Sequence, residues 1–391
     1  MDGALNAIRV VELASYVTGP LASLLLADLG AEVIKVEPPG QGDPFRGWGE
    51  KLYSATFCSL NCNKRSLTVD LRKDEGRDII LKLVQNADIL IENFRPGTLD
   101  KRGLGYDAVR SLNPKIVYCS ISGFGQEGPY RDLPGYDTVG QAMSGLLSLV
   151  TDPDRPQGMG ISFSDHLTGI YAAYGILGAL VHRMLTGEGQ RVETSLLRAS
   201  VSFISENAAR YFETGVIPRR AYRTRTAGVF AFVDKDGQAF VIHLSSPEKF
   251  WRGLLEVVGK QEWAADPRFR DRKGRTENHD LLSKMLQEIF AGGRREDWLL
   301  RLEKHDVPAA PLNNLEEVFR DPQVKQYGFP VEVEHPKMGK VLLLGSAIDL
   351  SRTPPTLNLP PPMLGEHTEE ILKEHGYDPA AIAGLRESGV I

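Results

Sequence analysis

The chain of 391 residues is poor in cysteine, with three in all. Cys58, Cys62 and Cys119 are too few for a disulfide framework. Cys58 and Cys62 are spaced C-x3-C with no second Cys/His pair near by, so buried free thiols are expected rather than a zinc site. His243 and His367 show no ligand spacing, so no metal is expected. Long apolar runs are missing as well. The longest, after Thr168, is cut by Gly175 and Gly178 and ends at His182-Arg183, too short and too polar at its flanks for a bilayer. The start, MDGALNAIRVVEL, lacks a basic segment followed by an apolar one, so no secretory leader is expected and the reading is cytoplasmic. A net charge of −5 gives no global basic field, so neither nucleic acid nor a membrane is an expected partner.

The composition is 42% hydrophobic and 25% charged, that of an ordinary soluble chain, and the length suggests two domains. Residues 8–37 read as a β-α-β unit. IRVVEL is a strand, Gly19–Leu29 a helix, and AEVIKVE a second strand ending in Glu37. This suggests a nucleotide-type, Rossmann-like α/β domain. The turn ASYVTGP lacks G-x-G-x-x-G, however, so the close backbone approach to a dinucleotide pyrophosphate is missing and an NAD site is disfavoured. Further strands follow within 61–72, at 88–92 and at 116–122, with an amphipathic helix over 76–86. Such alternation argues for a parallel, helix-covered sheet. Ligands of such sheets bind at the carboxyl ends of the strands, which here carry Ala14–Tyr16, Asn93–Arg95 and Ser122–Gly125.

The stretch 158–199 concentrates the chemistry. A polar turn, Ser162–Asp165, opens a run that is apolar nearly all round, the pattern of a helix buried on most faces. The helix is expected to stop at Thr186-Gly187. Asp165 at its start has two readings from the residues alone. It caps the helix, or the helix N–H groups hold it as a reactive carboxylate in a fixed direction. Beyond it, residues 201–226 are helical and then basic, through Arg219, Arg220, Arg223 and Arg225. A smaller α+β unit follows, with a hairpin turning at Asp-Gly and helices near 247–259, 279–291 and 295–305. The end returns to strands, a proline link and a last helix after Leu364-Gly365-Glu366-His367.

Several segments, in this order, resemble the class III CoA-transferases, the family that includes formyl-CoA transferase and carnitine CoA-transferase. They are VVELASYVTGPLASLLLADLGAEVIKVEPPGQGDPFR, NKRSLTVDL, ADILIENFRPG, LNPKIVYCSISGFGQEGPY, GYDTVGQAMSGLLSL, SDHLTGIYAAYGILGAL, TGEGQRVETSLL and LGEHTEEIL. The resemblance implies two identical chains, each a ring through which the other passes. It implies a large domain from 1–200 and 311–391, a small one from 226–305, and linkers at 201–225 and 306–310. It also implies that Asp165 is the nucleophile, moving CoA between carboxylic acids through an aspartyl-acyl anhydride and an aspartyl-CoA thioester. An unperturbed carboxylate, with a pKa near 4, needs no general base for this.

Acyl-CoA and a small carboxylic acid are then the substrates, with no permanently bound cofactor. The resemblance places CoA contacts at Tyr16 and Val17, the adenine between Val69, Leu71 and Arg72, and phosphates and pantetheine at Asn93, Phe94, Arg95 and Arg102. The family's usual arginine is not at Pro38, and Arg46 is the expected substitute. Backbone N–H groups near Gly125 or at the start of the long helix are expected to stabilise an oxyanion, and Tyr136 and Asp137 to complete the surroundings. The same family includes α-methylacyl-CoA racemases, which pair a His with an Asp where this chain has Tyr136-Asp137. A tyrosine is a poor base at neutral pH, which favours transfer over racemisation. His166 is expected to be structural. A third reading is a CoA-binding homologue without activity. The glycine-rich loop of the formyl-CoA transferases has no counterpart between 200 and 245. The four arginines at 219–225 are expected in a charged strip, or around a di-acid acceptor.

Overall fold

The structure, a computed structural model, describes residues 3–49, 53–152, 154–245 and 247–391. Met1 and Asp2, the head of the segment read for a leader, lie outside these. The chain divides into two compact units. One comprises residues to Leu147, Gly158–Ala208 and Lys325–Ile391; the other comprises Ser148–Gln157 and Ala209–Val324. The second unit extends beyond the expected 226–305 on both sides and adds a short excursion from the first half of the chain.

The first unit is built on a parallel sheet. Its strands are β1 (Arg9–Leu13), β2 (Glu32–Glu37), β3 (Lys64–Thr68), β4 (Ile89–Glu92), β5 (Val117–Ser122) and β6 (Arg191–Ser195). They lie in the order β3-β2-β1-β4-β5-β6. Every residue of β4 and β5 is buried, as expected of strands covered on both faces. The helices along this part of the chain are α1 (Thr18–Asp28), α2 (Ala55–Leu60), α3 (Asp74–Val84), α4 (Tyr106–Leu112), α5 (Asp137–Met143), α6 (Leu146–Val150, which runs on into the second unit), α7 (Phe163–Thr186) and, after β6, α8 (Leu196–Phe203). One face of the sheet packs on Ile79, Ile80 and Leu83 of α3 and on the C-terminal helices Thr368–Glu374 and Pro379–Glu387. The other packs on Leu26 of α1 and on Ala172, Ile176 and Leu180 of α7. Each fully buried Leu or Ile contributes about 2 kcal/mol.

α7 meets α1 through small residues. A Cβ added to Gly169 would come within 2.9 Å of the Thr18 carbonyl oxygen, so glycine is required for that approach. The helix ends as expected, with Gly187 at φ +79° and its N–H on the Arg183 carbonyl at 2.8 Å. The expectation of burial on most faces is corrected for the single chain. Tyr174 is 73% exposed, and Met184 and Leu185 are over 80% exposed. The core needs only one face of the helix, so the apolar residues of the opposite face stay uncovered in the single chain.

In the second unit, β7 (Val229–Val233), β8 (Ala239–His243) and β9 (Ala309–Pro311) form an antiparallel sheet around Phe230, Phe232 and Phe240. Gly237 gives the first hairpin its left-handed turn. Arg225 pairs with Asp280 at 2.6 Å. A hairpin of β10 (Val331–His335) and β11 (Gly339–Leu343) returns to the first unit. All three cysteines are buried and free. No helix among the described residues is long and apolar enough to cross a membrane.

Candidate active site

The strand order reverses between β1 and β4, and a crevice must open where the chains leave the sheet in opposite directions. Asn93 stitches that point. Its side chain accepts from Ser15 N at 3.0 Å and donates to the Ser15 carbonyl at 2.7 Å and to Thr18 Oγ1 at 3.1 Å. Above it lies a cavity of about 840 Å³, lined by Tyr16–Thr18, Asn93–Pro96, Ile121–Gly123, the stretch 133–138 and the entry to α7. Phe45, Trp48 and Arg131 also line it, and the sequence reading missed all three. Phe45 lies in a single 3-10 turn, Pro44–Gly47, and Trp48 and Arg131 lie outside helices and strands, so none sits in a periodic run; only the aromatic and cationic residue types offered a signal.

Below this floor lies a cluster of buried charges. Lys35 Nζ contacts Glu12 Oε1 at 2.7 Å and Asp43 Oδ2 at 3.0 Å, and Lys64 Nζ contacts Glu12 Oε2 at 2.9 Å. Burial alone would raise the Glu12 pKa, but Lys35 and Lys64 overcome it and hold the carboxyl down at about 2. The cluster reaches the cavity through Asp43, whose Oδ1 accepts from Tyr16 N at 3.3 Å. Tyr16 is in the left-handed region, φ +66°, a conformation that costs a non-glycine residue about 1 kcal/mol or more and needs such support.

Asp165 sits on the cavity wall at the third position of α7. It is not the cap. Ser162 occupies that position, and the Asp165 N–H donates instead to Asp137 Oδ1 at 3.1 Å. The N–H of Ser164 also bonds Asp137. Asp137 Oδ2 accepts from Gln141 Nε2 at 2.5 Å. Asp137, at the start of α5, is therefore held on both oxygens. The Asp165 carboxylate, by contrast, accepts no hydrogen bond from any described residue. Burial and the neighbouring Asp137 push its pKa up to about 7. This corrects the expectation of an unperturbed carboxylate. His166 turns away, its Nδ1 2.7 Å from the Ser162 carbonyl oxygen.

A second groove, of about 490 Å³, is lined by Leu71, Arg72 and Arg102 together with Lys73, Arg77 and Lys101. Arg102 is fixed by donating to the Leu71 carbonyl at 2.7 Å, and Arg72 forks onto Asp70 with two contacts of 2.9 Å. Of the residues expected around the cofactor, Tyr16, Val17, Asn93, Phe94, Arg95, Tyr136 and Asp137 line the cavity, while Leu71, Arg72 and Arg102 line this groove. Three lie elsewhere. Val69 is 1% exposed and packs in the core under the sheet. Arg46 is buried, grips Glu37 with contacts of 2.8 and 2.7 Å, and lies over the rings of Phe57 and Tyr53. Its guanidinium is engaged there, away from the cavity lining. Gly125 lies outside the cavity lining, and its N–H is already bonded to Ser122 Oγ at 2.9 Å.

Residues 5–368 match the model of CoA-transferase family III. The chain belongs to that family. This family III enzyme, a CoA-transferase by class, is 37% identical over 380 residues to a succinate–glutarate CoA-transferase of Agrobacterium fabrum, with 95% of each chain covered. It is 36% identical to the succinyl-CoA:glutarate CoA-transferase of Homo sapiens, covering 99% of this chain and 90% of that one. Among solved structures, a CAIB/BAIF family protein from Brucella suis superposes on the transferase with a TM-score of 0.85 at 37% identity, covering 96% of this chain and 100% of that one.

Proposed function

We propose that the protein transfers CoA from an acyl-CoA to a free carboxylate through covalent intermediates on Asp165. The observation that carries this reading is a carboxylate that accepts no hydrogen bond from any described residue, on the wall of a cavity of about 840 Å³. An Asp165 oxygen attacks the thioester carbonyl carbon, the C–S bond breaks, and CoA thiolate leaves an aspartyl-acyl anhydride. The thiolate attacks Cγ of Asp165, releasing the donor carboxylate and leaving an aspartyl-CoA thioester. The acceptor carboxylate then displaces the thiolate, forming a second anhydride. Thiolate attack on the acceptor's carbonyl carbon gives the new acyl-CoA and frees Asp165. Each derivative is at the same oxidation level, so little driving force is lost if water stays out.

The pantetheine arm lies in the cavity along Tyr16, Val17, Asn93 and Phe94, with Arg95 toward the phosphates. The nucleotide end lies in the basic groove at Leu71, Arg72 and Arg102, where cations suit phosphate. Tyr136 faces the acyl group. Short dicarboxylates are the proposed acceptors, since the names of two relatives specify succinate and glutarate or their CoA ester. Two chains are proposed to form the interlocked dimer. The uncovered apolar residues Tyr174, Met184 and Leu185 of α7 are consistent with a second copy.

The test is incubation with succinyl-CoA and other acyl-CoAs, followed by mass spectrometry of a peptide spanning 158–183. An acyl or CoA adduct on Asp165, absent from Asp165→Ala, is the expected result. Transfer of label between acids without any adduct on that peptide would overturn the covalent route.

A further inference from the structure

A helix starts with free N–H groups and a partial positive charge, and an aspartate in its first turn ordinarily takes advantage of both. α7 departs from this. Its free N–H groups at Ser164 and Asp165 go to Asp137, a carboxylate delivered by α5. Asp137 is locked further by Gln141, which is fully buried and also donates to the Ile161 carbonyl at 3.3 Å. Asp165 thus loses the helix terminus to a neighbour and gains that neighbour's negative charge.

We infer that Asp137 is a positioning residue for acyl transfer: by occupying the α7 N-terminus it leaves the Asp165 carboxylate free to face the cavity, and its charge drives negative charge off Asp165 when the anhydride forms. This inference rests on the proposed role of Asp165. The charge balance is direct. Attack on the thioester turns the Asp165 carboxylate into a neutral acyl derivative and places the charge on the departing thiolate. Burial raises the Asp137 carboxyl as well, against the two α7 N–H groups and Gln141, which favour its ionised form. Once ionised, it repels Asp165 before attack and no longer after it, which favours the forward step. A more basic carboxylate is also the better nucleophile.

The groups facing Asp165 are few. Arg95 and Arg131 are the cations on the cavity lining, and Tyr16 and Tyr136 its phenols. His166, next on α7, and Arg198, on α8, are exposed. Asp137 is the charge that acts on Asp165, and its effect adds to that of burial.

The experiment is an infrared titration of Asp165, isolated as the difference between the wild type and Asp165→Asn, in the Asp137 and Asp137→Asn backgrounds. Asparagine keeps an oxygen for the α7 N–H groups and removes the charge. The expected result is a midpoint lower by about one pH unit in Asp137→Asn, with the acid limb of kcat/KM moving the same way and kcat at pH 8 falling about tenfold. Asp137→Glu, which restores the charge, is expected to recover most of kcat. An unchanged midpoint in folded Asp137→Asn overturns the inference. If Asp137→Asn does not fold, Asp137→Ser is titrated in its place with the same two outcomes. The titration needs no acyl-CoA, so it stands apart from the adduct experiment. A shifted midpoint with no adduct removes the covalent route and keeps the pair; an adduct with an unshifted midpoint does the reverse.

Discussion

Glu12 and Asp165 are carboxylates withdrawn from water in the same unit, and their surroundings are opposite. Glu12 lies at 0% exposure between two lysines, which hold it ionised. Among the described residues, the charge that acts on Asp165 is a second carboxylate, Asp137. Burial penalises the charged form in both cases. The partner decides the outcome: about 2 for Glu12 and about 7 for Asp165. A buried charge that is fully paired is a fastening, and here it fastens Tyr16 through Asp43. A charge left without a counter-ion stores unfavourable energy that bond formation relieves.

The contrast is broken most severely at Asp165 itself. Asp165→Ala should lower kcat by roughly 10^4-fold or more, the scale of losing a nucleophile, while the chain stays folded by circular dichroism. Steady-state transfer between labelled acids measures it; retention of a tenth of the activity would count decisively against the role.

Next is the paired cluster. Lys35→Met leaves Asp43 without its cation and Glu12 with only Lys64, and should cost roughly 3–5 kcal/mol in urea unfolding. A loss below 1 kcal/mol would mean that water reaches the cluster.

The unpaired site should respond in the opposite direction. The folded Asp165 pKa, about 7, exceeds the ordinary value of 3.8, so the native state holds its proton more tightly and folding stability falls as pH rises through that window. Asp165→Asn should therefore stabilise the fold at pH 8 by on the order of 1 kcal/mol, with the gain fading toward pH 4. Thermal unfolding at the two pH values measures this, and equal midpoints at pH 8 would show that Asp165 carries no electrostatic cost.

The smallest effect belongs to a solvated cluster. Arg65 contacts Glu32, Glu370 and Glu374, each at least a third exposed. Arg65→Lys should cost about 1 kcal/mol or less, and less again in added salt.

Much of the fold was readable along the chain. The β1–α1–β2 unit follows from an apolar run, a helical repeat and a second apolar run, and α7 stops where Gly187 permits a left-handed residue. Leu196–Phe203 has a local signal, the Ser195 hydroxyl that caps it by accepting from Arg198 N at 3.1 Å, but the expected helix begins only at 201; the strand Ala309–Pro311 is three residues long, too short for a repeat to show. In the site, Asp165 was visible as a carboxylate at a helix start, but its exact position in the turn was not. The place of Arg46 outside the cavity was not legible, because a sequence shows an arginine's charge and not the Glu37 that engages it. Trp48 and Arg131 carry no local signal, because nothing in the sequence distinguishes a cavity-lining loop residue from any other.

The sequence by itself determined the alternation that builds a parallel sheet, and so the end of the sheet where a ligand crevice opens. It also determined which carboxylate begins the long helix. Tertiary structure alone decided which carboxylate receives the helix N-terminus. Asp137 and Asp165 are 28 residues apart. Hydrogen bonds and Coulomb energies at a few ångströms depend on where two elements cross, a distance that no local pattern encodes.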